Sequence, residues 1–84
     1  MRLSNLVNIG PRLEELLISA GIEDAAALHE LGAAKAAYKV YQVNPESVIR
    51  LAALEGALRG TRWHNISADE KTQLEAEFEQ LCSL

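Results

Sequence analysis

The sequence predicts an all-α protein, about five helices in one compact domain spanning residues 1–84, and three observations carry that expectation. Apolar residues recur at helical rather than alternating spacing. Every apolar stretch is bounded by a capping residue, a proline or a glycine. The chain is 49% hydrophobic but only 5% aromatic, so leucine, isoleucine, valine and alanine must fill the core. Charged residues at 24% are ordinary for a folded globular protein and exclude disorder.

The elements follow in order. Leu3 and Leu6 form a short helical turn leading into a tight turn at Asn8-Ile9-Gly10. Pro11 suits the first position of a helix, where its missing N–H is no loss. Leu13, Leu16, Leu17 and Ala20 then share one face, and Gly21 stands where a left-handed residue ends the helix. Asp24 caps a second short helix carrying Leu28 and Leu31, and Gly32 ends it. A third helix, Ala33 to Val43, has Ala33, Ala36, Ala37 and Val40 on one stripe. Asn44-Pro45 is read as the start of a fourth, from about Glu46 to Arg59. This fourth helix is apolar on two faces and is expected to be central. Gly56 on it lets a neighbour approach closely, and Gly60 caps its end. Trp63 lies in a connector and is expected to fold back onto the core. Ser67-Ala68-Asp69-Glu70 is a capping box opening the last helix, whose Leu74, Phe78 and Leu81 form a narrow stripe.

The formal net charge is −4, and the last helix carries all of it. From Ser67 onward there are five acids and one base, whereas residues 1–66 hold seven of each. An acidic total weighs against a strong nucleic-acid binder. The last helix is expected to stay off any DNA-binding face, its apolar stripe docking on the core or on a partner chain, and Lys71→Glu, unlike Arg12→Glu, is expected not to abolish DNA binding. No apolar run approaches the roughly 20 residues that span a bilayer. The amino terminus lacks a signal-peptide core, and the single cysteine, Cys82, has no internal partner, so a reduced cytoplasmic setting is expected.

The turn and the two helices after it have the layout of a helix-hairpin-helix, in which backbone N–H groups at a helix start hold a phosphate. The candidate nucleic-acid site is Asn8, Ile9, Gly10 and Arg12, with Arg12 supplying the charge. Asn8 stands where a DNA-binding hairpin has its first glycine, and asparagine tolerates left-handed backbone angles. Gly21, Glu55, Gly56, Gly60 and Trp63 are assigned structural roles. Glu55 is expected to pair with Arg59 at i+4, or to accept from the Trp63 indole or a backbone N–H. His29, His64 and Cys82 are too scattered for zinc, and Lys35 and Lys39 share a helix face without forming a basic stripe. No catalytic residue, metal, cofactor or small-molecule substrate is expected.

Two stretches occur together: Leu6-x-x-Ile9-Gly10-Pro11 with Leu13, Leu17, Gly21-Ile22, Leu28 and Leu31-Gly32-Ala33, and Ala53-Leu54-Glu55-Gly56-Ala57-Leu58-x-Gly60 with Trp63 and Ile66. In this order they resemble the C-terminal domain of the TfoX/Sxy competence-regulator family, expected here as a free-standing domain, whereas full family members carry a separate N-terminal domain. The resemblance implies an all-α fold with a helix-hairpin-helix core and a link to bacterial regulation of DNA uptake. Two functions then compete. The first is a protein-interaction or regulatory adaptor that binds a protein partner or a second copy. The alternative is weak, sequence-independent DNA binding through the hairpin turn.

Overall fold

Helices form where the apolar spacing places them, and left-handed glycines close three of them. The structure, a computed structural model, describes residues 2–47 and 49–83. A 3-10 turn over Leu3–Asn5 precedes five α-helices: α1 (Pro11–Ser19), α2 (Ala25–Leu31), α3 (Ala33–Val43), α4 (Leu51–Arg59) and α5 (Ala68–Cys82). A second 3-10 turn, Trp63–Asn65, lies between the last two, and no strand occurs among the described residues.

Helix ends follow the residue chemistry closely. After α1 the chain reverses at Gly21, with φ of +88°, and the Ile22 N–H reaches the Leu17 carbonyl at 2.9 Å. The same device closes α4: Gly60 takes φ of +73°, and the Thr61 N–H donates to the Gly56 carbonyl at 2.9 Å. The Asp24 side chain caps α2 by accepting from the Ala27 N–H at 2.9 Å. The Ser67 hydroxyl accepts from the Glu70 N–H at 3.2 Å and lies the same distance from the Glu70 carboxylate.

Leu3, Leu17, Ile22, Leu28, Val40 and Leu54 are the largest fully buried side chains, each contributing about 1.5–3 kcal/mol by leaving water. The central helix is α3, not the fourth. It packs against α1, α2, α4 and α5, and Ala33, Ala34, Ala36, Ala37 and Val40 are its buried residues. Four neighbours reach one helix because its contact faces are alanine, which keeps backbones close. Bulk apolarity pointed instead to α4, which supplies Ala53, Leu54 and Ala57 to one side of the core.

The fourth helix also begins later than the sequence suggests. It starts at Leu51, with Arg50 extended, while Asn44 and Ser47 close a turn at 3.0 Å. The expected span from about Glu46 includes Val48, which lies outside the described residues. Asn44-Pro45 thus opens a connector. Ile49 then packs against the core from outside any helix. The stripe on α5 is used internally at two of its three residues: Leu74 is buried, and Phe78 packs against the core with its ring edge-on to Tyr41 of α3 at 6.0 Å, while Leu81 borders an open groove. No described helix is long and apolar enough to cross a membrane.

Candidate interaction site

The turn before α1 separates into an inward half and an outward half. Asn8 has φ of +72°, the left-handed conformation that asparagine tolerates better than other non-glycine residues. Its amide does the work of a staple. Nδ2 donates to the Thr61 carbonyl at 2.9 Å and to the Ala53 carbonyl at 3.3 Å, and Oδ1 accepts from the Trp63 N–H at 3.2 Å. One side chain thereby ties the turn to α4 and to the connector after it. Ile9, only 5% exposed, belongs to the core. Of the four residues assigned to a nucleic-acid site, Ile9 is buried, Asn8 is half-buried with its amide turned inward while it still borders a groove beside Arg12 and Arg50, and Gly10 and Arg12 are exposed.

Gly56 explains how the staple fits. A Cβ there would stand 2.5 Å from the Thr61 carbonyl oxygen and 2.6 Å from Asn8 Nδ2. The close approach anticipated for Gly56 is thus an approach by an amide and a carbonyl, not by a neighbouring helix. Glu55 meets Arg59 at 2.7 Å, one turn on, and Arg59 also pairs with Glu70 of α5. Those two carboxylates hold the Arg59 guanidinium charged, raising its pKa, with the Glu55 bond the larger cause. On the opposite flank Glu14 accepts the Ser4 N–H at 3.0 Å and pairs with Arg2 at 3.4 Å. The Ser4 bond is the main cause that lowers the Glu14 pKa below the ordinary carboxylate value.

Trp63 departs from the sequence expectation. Its backbone N–H is held by Asn8, but the residue stays 38% exposed and is not part of the core. The Arg50 guanidinium carbon lies 5.2 Å from the ring centroid and Lys71 Nζ lies 5.6 Å from it, both within cation–π range. His64 stands edge-on to the same ring at 5.7 Å. Lys71 thus belongs to this face, and Glu75 one turn on lines a groove there with it, so the opening turns of α5 border the face instead of staying off it.

Two grooves flank Arg50. One, of about 330 Å³, is lined by Ile49, Leu51, Ala52, Trp63, Lys71 and Glu75 as well as Arg50. The other, of about 360 Å³, runs from Arg50 and Ile49 to Leu13, Leu16, Arg12 and the exposed start of α1. Arg12, Arg50 and Lys71 form no ion pair with a described residue. By contrast, a groove of about 310 Å³ between α3 and α5, lined by Tyr41, Pro45 and Phe78 among others, has no charged residue on its walls.

Residues 1–78 match the family described as TfoX C-terminal domain. The chain belongs to that family. Two solved structures agree with it, both crystal structures of proteins from Listeria monocytogenes. An uncharacterized protein in a triclinic form is 37% identical, with a TM-score of 0.84, over 96% of this chain and 93% of its own. A protein of unknown function in a tetragonal form is 38% identical, with a TM-score of 0.82, over 93% of this chain and 98% of its own. No curated protein matches. In this TfoX C-terminal domain the described residues hold no group of three or more His, Cys, Asp or Glu side chains placed for a metal ion, and Cys82 is exposed at the end of α5. Lys35 borders a separate groove with Glu77 and Gln80, away from the Trp63 face.

Arg12, Trp63 and Lys71 stand far apart in the sequence, and nothing in their spacing brings them together. Arg50 carries no motif in the sequence that marks it. The available signal was weak: a tryptophan flanked by Arg62 and His64 in a connector is a polar setting for a core residue.

Proposed function

We propose that this chain is a non-enzymatic regulatory binding module that docks a protein partner on the face formed by Arg12, Arg50, Trp63 and Lys71. One observation carries the reading. On a chain of net charge −4, three cations without ion-pair partners stand beside apolar grooves and a half-exposed tryptophan. Tryptophan and arginine are the residue types that dominate binding energy at protein interfaces. Membership of the TfoX C-terminal domain family supports a regulatory role, and the lone Cys82 suits a reducing cytoplasm. A photo-crosslinking residue placed at Arg62, next to Trp63, should give protein adducts in source cells, while the same residue at His29 on α2 should not. Equal yields at the two positions would refute the assignment.

A second reading, weak DNA binding at the helix-hairpin-helix turn, rests on the exposed first turn of α1 with Arg12 beside it. Unpaired N–H groups and a positive dipole end favour an anion there. Labelled duplex DNA at low salt tests it: Arg12→Glu should abolish binding, and binding insensitive to that change would exclude the turn.

A further inference from the structure

The two grooves beside Arg50 have the same construction, an apolar floor with cations at the rim. Ile49 and Arg50 form the ridge between them. Leu51 and Ala52 lie on one side, Leu13, Leu16 and Ala53 on the other. Arg12 guards one end, and Lys71 over Trp63 guards the other. We propose that this double groove accepts an acidic amphipathic helix of another protein, with apolar side chains in the two grooves and carboxylates against Arg12, Arg50 and Lys71. The proposal rests on the protein-docking reading above and names the chemistry of the partner.

Charge complementarity and the state of the tryptophan select this occupant. A single-stranded nucleic acid needs a free aromatic face for base stacking, but the Trp63 ring is engaged by two cations. Three cations neutralise few phosphates, and the net charge of −4 repels a long polyanion more than a short peptide. Glu75 in the wall beside Lys71 weakens the pull on either ligand there, so the peptide's carboxylates are placed chiefly against Arg12 and Arg50. A second copy of this chain is a poor occupant as well. Its acidic helix, α5, already spends Leu74 and Phe78 on its own core. An acidic helix with a free apolar stripe fits both the floors and the rims.

The test is fluorescence anisotropy with a short labelled peptide carrying Leu and Phe at i, i+4, i+7, three Glu flanking that stripe and Ala or Gln elsewhere. The comparison probes are the same peptide with Lys for Glu and a labelled oligothymidylate. Sedimentation velocity reports on the chain alone. The acidic peptide should bind, more weakly as salt rises, and Arg50→Glu should reduce its affinity about tenfold or more. Lys71→Glu should do the same independently, with thermal melting of both variants checking that they are folded. The lysine peptide should not bind. The proposal is overturned by no binding of the acidic peptide or equal binding of the lysine peptide. Binding of oligothymidylate in the peptide's place, or self-association abolished by Arg50→Glu, overturns it too. Peptide failure with persistent crosslinks at Arg62 would reject the partner's chemistry alone, whereas loss of both would reject the docking face itself.

Discussion

Asn8 and Trp63 are joined by one hydrogen bond, yet they belong to opposite kinds of surroundings. Asn8 has its amide nitrogen and oxygen satisfied by backbone groups of α4 and the following connector. Trp63 offers its backbone to that same staple but leaves its ring outside, beside cations that have no carboxylate partner. A polar side chain whose valences are met internally specifies geometry, because leaving it unpaired when buried costs about 1–3 kcal/mol. Cations with no partner on an acidic chain leave their field directed at solvent. On the proposed reading, the closed neighbour is architecture and the open one is where a partner is recognised.

That contrast can be broken experimentally, beginning with the largest effect. Gly56→Leu should be the most damaging single change, since any side chain there collides with the Thr61 carbonyl and the Asn8 amide. Overpacking costs about 1–3 kcal/mol, and displacing the staple adds the loss of its hydrogen bonds. A thermal melt that hardly moves would show that the seat of Asn8 is not tight. Asn8→Ala should cost roughly 2–3 kcal/mol, because it loses both the amide and the residue type that tolerates a positive φ. Asn8→Gly keeps the backbone conformation and should cost less, about 1–2 kcal/mol. Equal losses would mean that backbone conformation contributes nothing.

A smaller effect lies at Glu14, whose carboxyl is held below its ordinary pKa chiefly by the Ser4 N–H. For a carboxylate with a lowered folded pKa, the added stability is fully present above the unfolded pKa and is lost as pH falls through the folded one. Acid titration of stability should therefore show a shallower decline for Glu14→Gln below the ordinary carboxylate range. Identical profiles for the variant and the parent would remove the Ser4 bond from the account.

The all-α fold and most helix ends were legible in the residues. Pro11, Gly21, Asp24, Gly32, Gly60 and Ser67 each act locally, so their effect is written in the adjacent sequence. The start of α4 was not, because Asn44-Pro45 can open a helix or a connector and only tertiary packing of Ile49 decides between them. The centrality of α3 was hidden for a similar reason: alanine carries little hydrophobic signal, but its small size is what admits four neighbours. The candidate site was half legible. Arg12 and the left-handed tolerance of Asn8 could be read directly, whereas the bonds from Asn8 to Ala53, Thr61 and Trp63 span 45, 53 and 55 residues. Arg50 and Lys71 likewise meet over Trp63 only through the fold.

The most direct measurement is a double dissociation between Asn8→Gly and Arg50→Glu, each assayed for thermal stability and for crosslinking from Arg62 at a temperature where both are folded. The account predicts that Asn8→Gly melts earlier yet keeps its protein adducts, and that Arg50→Glu melts with the parent yet loses them. Loss of adducts in Asn8→Gly together with their persistence in Arg50→Glu would contradict it, placing recognition at the turn and not at the Trp63 face.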